Sequence, residues 1–332
     1  MRADHRRHAA LPEPRQILVV KPSSLGDVVH TLPAVALVKH RWPDARLSWI
    51  VNPEWAPLLE GNPYVDEVVI FPRQQLRGLR GALRVPGWAR ELGRRTPVDL
   101  ALDFQCLLRS ALIARCCRKP GGRIIGLSDG REGAKFFYDE IVDVRGKDHA
   151  VDRYLALVES LGIPVDHGTL EWPLPQGPRP DAEFPDRFVL LHPFSRGEGK
   201  SLTVEQVREF CVAMNPYPVV LAGRSDESVR PAENLVDLLN RTTLAELIWL
   251  IRHAAYVVSV DSGPMHIAAA LTSRLVSIHT WSDPLKVGPY GGAASVFKDG
   301  EIRTMRAVRA GEQGNRIAGM RGLAEWVSKH TR

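Results

Sequence analysis

The sequence predicts an α/β protein made of two Rossmann-like domains, each with a parallel sheet, facing one another across a cleft. Three observations carry this expectation. Short, continuous, β-branched runs alternate with helical patterns along the chain, as in parallel sheets buried on both faces. The alternation stops at 173–180, where four of eight residues are proline and Pro185 lies just beyond, and no helix or central strand forms there. It then restarts, and 332 residues suit two domains of ~100–200 residues each. The expected boundaries are 1–165 for the N-terminal domain, 166–186 for the linker and 187–318 for the C-terminal domain, with a last helix at 319–332.

The elements follow in order. Residues 16–21 are an apolar run, 22–27 a small-residue turn, and a helical pattern continues to about His40. Residues 46–51, 67–71 and 99–103 read as further buried strands. Residues 148–161 form an amphipathic helix stopped by Gly162 and Pro164. After the linker, 188–192, 218–222, 256–260 and 275–279 read as strands. Helices are expected at 203–214, 244–253 and 264–271.

Composition narrows the class. A chain 44% hydrophobic with a net charge of +6 is ordered rather than disordered. No run of ~18 apolar residues occurs, since the best stretch, 247–260, is broken by Arg252 and His253. The first fifteen residues carry four arginines without an apolar core, a basic tail rather than a secretory signal. Cys106, Cys116, Cys117 and Cys211 make no C-x-x-C pattern, the usage of a reduced cytoplasmic protein.

The basic excess is one-sided. Residues 1–165 hold 25 Lys+Arg against 19 Asp+Glu, and 166–332 hold 19 against 19. Seven arginines and one acid lie between Arg73 and Arg95. Arg73, Arg77, Arg80 and Arg84 fall at the spacing of one helical face, beside Leu76, Leu79 and Leu83. Gly78, Gly81 and Pro86 weaken that helix. Two readings stand, a solvated surface helix or an anion-binding patch. No helix-turn-helix, finger or aromatic-laced basic module is present, so nucleic acid is not an expected partner.

Ligands of parallel α/β domains sit at the carboxyl ends of strands, where helix N-termini offer free N–H groups. Four loops there are decorated. In Ser23-Ser24-Leu25-Gly26-Asp27, Gly26 lets the backbone approach a ligand, and Asp27 is either a cleft carboxylate or the cap of a helix starting at Val28. In Ser195-Arg196-Gly197-Glu198-Gly199-Lys200, a lysine and an arginine among glycines suit a diphosphate, although G-x-x-x-x-G-K-[ST] is absent. In Gly223-Arg224-Ser225-Asp226-Glu227, a carboxylate could hold ribose hydroxyls, or Ser225 or Asp226 could cap a helix. In Asp261-Ser262-Gly263-Pro264-Met265-His266, proline in the first helical turn leaves N–H groups for a phosphate; His266 points back toward it, though a lone histidine is more often structural. Metal binding is not expected, without H-E-x-x-H or Asp-x-Asp. G-x-S-x-G and G-x-G-x-x-G are also missing, against a hydrolase or a dinucleotide redox enzyme.

Taken together these loops resemble the bacterial lipopolysaccharide heptosyltransferases, glycosyltransferase family 9. Lys21-Pro-Ser-Ser-Leu-Gly-Asp-Val-Val-His-Thr-Leu-Pro33 and Asp261-Ser-Gly-Pro-Met-His266 carry the likeness most specifically. Asp103-Phe-Gln-Cys-Leu-Leu-Arg-Ser-Ala-Leu112, His149-Ala-Val-Asp-Arg-Tyr-Leu155, Trp281-Ser-Asp-Pro284 and Gly288-Pro-Tyr-Gly291 are similar to further stretches, in the family's order. The chain departs from the pattern in three places, one of them the tail from Met305 to Met320, which matches no part of it. Phe194-Ser195-Arg196-Gly-Glu-Gly-Lys200 stands where the family has Thr-Thr-Arg-x-x-Lys, with one residue added, and Cys106 replaces a glycine.

The resemblance implies a GT-B fold whose last helix packs back on the N-terminal domain. It implies inverting, metal-independent transfer of L-glycero-D-manno-heptose from ADP-heptose to the lipopolysaccharide inner core, with no cofactor. Asp27 would be the general base and Lys200 would stabilise the departing diphosphate, with Ser262, Gly263 and the helix dipole. Ser195, Arg196, Glu227, Asp261 and His266 would complete the donor site in the C-terminal domain. Ser24, Gly26, Arg73, Arg77, Arg80, Arg84 and Arg109 would hold the anionic glycolipid acceptor, of the lipid A-Kdo type, in the N-terminal domain. A monomer, cytoplasmic and peripheral on the inner leaflet of the inner membrane, is the expected setting. Alternatives are another nucleotide sugar on the same fold, or a non-catalytic glycolipid- or nucleotide-binding protein.

Overall fold

The computed structural model describes residues 13–78, 81 and 83–331. The chain forms two compact units. One holds the residues through Ser23, Thr31–Lys147 and Val151–Pro173; the other holds Ser24–His30, Asp148–Ala150 and the chain from Leu174 onward.

The first unit is built on six strands, β1 (Gln16–Val20), β2 (Arg46–Val51), β3 (Glu67–Ile70), β4 (Val98–Asp103), β5 (Arg118–Leu127) and β6 (Glu140–Val142). They lie in the order 3-2-1-4-5-6, all parallel, which is the Rossmann order. Ile17, Leu18, Val19 and Val20 of β1 are fully buried, so the continuous apolar run reflects a central strand covered on both faces. The helices are α1 (Leu25–Arg41), α2 (Val85–Arg95), α3 (Leu108–Cys117) and α4 (Ala150–Ser160), the first turn of α1 grouping with the second unit. Val85, Ala89 and Leu92 of α2 with Ile113 and Ala114 of α3 close one face of the sheet against Leu18, Val20 and Ile124. In α1, Asp27 lies in the first turn and Lys39, His40 and Arg41 in the last, the charge order that complements the helix dipole.

Residues 161–188 contain no helix or strand, as their prolines require. Within the second unit, Gly177 at φ +73° packs so close to α6 (Leu244–His253) that a Cβ would sit 2.1 Å from the Ala245 carbonyl oxygen. The Arg252 guanidinium donates to the carbonyls of Leu174 and Pro175 at 2.7 and 3.0 Å.

The second unit repeats the plan. Its strands are β7 (Val189–His192), β8 (Val219–Gly223), β9 (Leu235–Leu239), β10 (Tyr256–Val260), β11 (Leu275–Ile278) and β12 (Ser295–Lys298), followed by β13 (Glu301–Thr304) and β14 (Asn315–Arg316). The order is 14-13-12-11-10-7-8-9. Strands 7 to 12 are parallel in the Rossmann arrangement; β13 and β14 add antiparallel strands at one edge. The sheet is therefore mixed, where an all-parallel one was expected. The other helices are α5 (Val204–Met214), α7 (Gly263–Leu271), α8 (Pro284–Val287), α9 (Met305–Ala310) and α10 (Gly319–His330). Reciprocal capping boxes start α5 (Thr203 with Gln206) and α6 (Thr243 with Glu246), each replacing orphan N–H groups with side-chain acceptors.

The last helix departs from expectation. Met320, Leu323, Ala324 and Val327 of α10 join Val207, Phe210 and Met214 of α5 in the core of the second unit. Their spacing makes one apolar stripe, and that stripe is satisfied within the C-terminal unit rather than on the N-terminal domain.

Candidate functional site

In the second unit the strand order reverses between β7 and β10, which are adjacent and parallel. Loops leaving the two strands at such a switch point diverge and leave room for a ligand at their carboxyl ends. One loop carries Lys200 and the other Asp261, and the ammonium and carboxylate meet at 2.6 Å. Asp261 is 5% exposed, so its charge is desolvated and the lysine is its compensating partner.

Ser262 follows at the N-cap of α7, with extended backbone and no capping hydrogen bond from its hydroxyl. Its Oγ lies 3.4 Å from His192 Nδ1, at the end of β7. With Pro264 in the first turn, the α7 terminus has the form of an anion site. Ser195 closes the lysine loop by exchanging hydrogen bonds with Ser201, its N–H to Oγ at 2.9 Å and the hydroxyl back to its carbonyl at 3.2 Å. Arg196 is exposed beside it.

Glu227 is exposed after β8, and its N–H donates to Ser225 Oγ at 3.0 Å. No helix follows in 224–234, so the capping reading of Ser225 and Asp226 is overturned. Asn240, in left-handed conformation at φ +59°, instead holds Ser225 by its N–H at 3.2 Å and its carbonyl at 2.6 Å.

The segment Ser24–His30, which groups with this unit, brings Asp27 in. The helix starts at Leu25, so Asp27 is its third residue rather than the cap of a helix starting at Val28. Its Oδ2 accepts from the Ser24 N–H at 3.1 Å and from the Ser24 hydroxyl at 2.8 Å. Gly26 is required here, because a Cβ would lie 2.6 Å from His266 Cδ2. His266 Nδ1 pairs with His30 Nε2 at 3.0 Å, and His149 stacks edge-on to His30 at 5.0 Å between centroids. Burial, with His149 nearby, pulls the His266 pKa down to about 4 against the opposing pull of Asp261 and Asp27. At neutral pH the ring is uncharged. Among the described residues no group of three or more His, Cys, Asp or Glu could hold a metal ion.

The arginine row of the first unit does not form one helical face. Arg73 sits in a turn and pairs with Glu54 at 4.0 Å. Arg77 is exposed outside regular structure, and Arg80 and Leu79 lie outside the described residues. Arg84 is the N-cap of α2, which Pro86 helps to start. Gly78 at φ +71° interrupts the spacing, and the leucines part company: Leu76 is buried whereas Leu83 is 83% exposed. Arg109 is half-buried in the first turn of α3.

Several residues escaped the sequence reading. His192 and His279 are buried beside the site, each with its pKa pulled down to about 4 chiefly by desolvation. A polar residue closing an apolar strand was the available signal for both. Asp103, fully buried at the end of β4, accepts from the backbone of Gln105 and Cys106 and from the Ser110 and Tyr138 hydroxyls, which fixes the loop into α3. Desolvation pushes its pKa up.

Comparison with known proteins agrees with this architecture. The family model described as glycosyltransferase family 9 (heptosyltransferase) matches residues 88–314. Among curated relatives, lipopolysaccharide heptosyltransferase 1 of Pseudomonas aeruginosa is 29% identical over 83% of this chain and 81% of its own. Lipopolysaccharide core heptosyltransferase OpsX of Haemophilus influenzae is 23% identical over 85% and 84%. Among solved structures, E. coli heptosyltransferase WaaC with ADP superposes with a TM-score of 0.69 at 23% identity, covering 85% of this chain and 93% of that one. A family 9 glycosyltransferase from Veillonella parvula gives 0.72 at 18% identity over 95% of both.

Two doubly wound units, one with a charged strand-end site at its switch point, have the GT-B fold, and the family match makes the protein a glycosyltransferase. The chain belongs to glycosyltransferase family 9, the heptosyltransferase family.

Proposed function

We propose that this chain transfers heptose from ADP-L-glycero-D-manno-heptose to the inner core of lipopolysaccharide, with inversion and without a metal. The observation that carries the reading is the Lys200–Asp261 pair at the β7/β10 switch point, beside the N-terminus of α7, where Ser262 makes no side-chain cap. Asp27 takes the proton of the acceptor hydroxyl as that oxygen attacks the anomeric carbon. The bond from that carbon to the diphosphate breaks, and ADP leaves with the electron pair. Lys200, the Ser262 and Gly263 N–H groups and the α7 dipole stabilise the charge that develops on it. Glu227 holds the ribose, Ser195 and Arg196 complete the donor loop, and neutral His266 packs between the Asp27 and Asp261 turns.

The N-terminal domain takes the acceptor, with Arg73, Arg77, Arg84 and Arg109 facing its anionic groups. The enzyme works on the cytoplasmic face of the inner membrane as a peripheral monomer. No described helix is long and apolar enough to cross a membrane. The relatives named as lipopolysaccharide heptosyltransferases support the substrate class.

Calorimetric titration with ADP, UDP, GDP and dTDP, each with and without EDTA, tests the donor. Preferential ADP binding that EDTA leaves unchanged is expected. Preference for another base would move the donor while keeping the chemistry, a second reading favoured by Phe194 and Ser195 standing in place of the family's threonines. Absence of all binding would overturn the site.

A further inference from the structure

Trp281 is 66% exposed, yet it is tied on two sides. Its indole Nε1–H donates to the Glu198 carbonyl at 3.1 Å. The neighbouring Thr280 hydroxyl donates to the Gly199 carbonyl at 2.8 Å. These two carbonyls immediately precede Lys200, in the part of the loop that is one residue longer than the family pattern. Gly199 takes φ +68° there, and the Lys200 N–H turns back onto the Gly197 carbonyl at 3.2 Å. The Lys200 ammonium lies 5.1 Å from the centroid of the Trp281 ring and pairs with Asp261 at 2.6 Å.

A flexible four-carbon stem on a glycine-flanked loop has many rotamers to lose, and each must be frozen before the ammonium meets a phosphate. Here the backbone before the lysine is pinned by two side-chain donors, and the aromatic face attracts the ammonium electrostatically. We infer that Trp281, with Thr280, is a positioning residue for Lys200. It holds the lengthened loop so that the ammonium stays at the donor diphosphate when it exchanges Asp261 for phosphate oxygen. This rests on the reading of Lys200 as the diphosphate-binding residue.

The test is a double-mutant cycle on the full chain, with ADP affinity measured calorimetrically for wild type, Trp281→Ala, Lys200→Ala and the double variant. Trp281→Ala is expected to weaken ADP ~10-fold, within the range of a partly desolvated cation–π contact plus a hydrogen bond. Trp281→Phe keeps the ring and loses the donor, so a smaller loss of ~3-fold is expected. In the Lys200→Ala background, removal of Trp281 should cost nothing further, because the group it positions is gone. The thermal midpoints should stay within ~2 °C, as for most exposed positions.

Wild-type affinity in Trp281→Ala, or an equal loss with and without Lys200, would overturn the positioning role while leaving the diphosphate reading intact. Unchanged ADP affinity in Lys200→Ala would instead remove the diphosphate reading, and the positioning role with it.

Discussion

Asp27 and Cys106 show how single residues are constrained by backbone rather than by chemistry alone. The Asp27 carboxylate is fixed by two hydrogen bonds from Ser24, so its orientation is set before an acceptor arrives. Asp27→Asn keeps the side chain's shape and removes the base. Transfer is expected to fall by ~10²–10⁴, while the ADP dissociation constant stays within about twofold, since donor binding is assigned to other residues. Near-normal turnover by this variant would remove Asp27 from its role. Cys106 has φ +56°, in the left-handed region where an L-residue costs ~1–2 kcal/mol, and that explains the glycine of the family pattern. The cysteine is held there by its N–H to Asp103 Oδ1 and its thiol to the Asp103 carbonyl, both at 3.0 Å. Cys106→Gly should therefore be close to neutral in thermal midpoint, strain relief offsetting lost packing. Cys106→Val, β-branched at positive φ, should be several degrees lower.

Elements were legible where pattern and punctuation agreed. The helix at 244–253 and the strand at 256–260 coincide with the structure, because Thr243 and Glu246 announce the cap and the apolar period is unbroken. β5 was not legible: its first half reads Arg-Lys-Pro-Gly-Gly-Arg, the composition of a turn, and neighbouring strands override it. The β12–β13 hairpin did leave a signal. Asp299-Gly300, at φ +52° and +73°, is the residue pair of a tight hairpin turn, but the strands beside it are four residues each and too short for periodicity. In the candidate site, Asp27, Lys200 and Asp261 stood out by chemistry at strand ends. Trp281 did not, because its contacts reach across 83 residues to Glu198. For α10 the apolar stripe was readable and its destination was not, since a stripe does not name its partner. The core it joins gives a test at this scale. Leu323 is fully buried, and Leu323→Ala is expected to cost ~2–5 kcal/mol, read as a drop in the denaturation midpoint. A change under ~0.5 kcal/mol would mean the α10–α5 packing is dispensable.

For the whole molecule, three histidines of the second unit make acid the vulnerable side. His192, His266 and His279 have their pKa values pulled down to about 4, against ~6.5 in an unfolded chain. Between these values the unfolded state binds more protons, so their contribution is complete above pH ~6.5 and is lost as the pH falls toward 4. For His192, at about 4, the loss is about 3 kcal/mol. Scanning calorimetry should show a thermal midpoint that falls steeply from pH 6.5 to 4; a flat midpoint across that window would contradict the neutral assignments. The antiparallel addition to the second sheet has a consequence of a different kind. A parallel sheet ending at β12 would present a bare ladder, a template on which another copy could crystallise strand by strand. Here the sheet terminates in β14, two residues long, with Asn315 and Arg316 both exposed. So short and charged a selvedge gives an incoming strand almost nothing to knit onto at this edge.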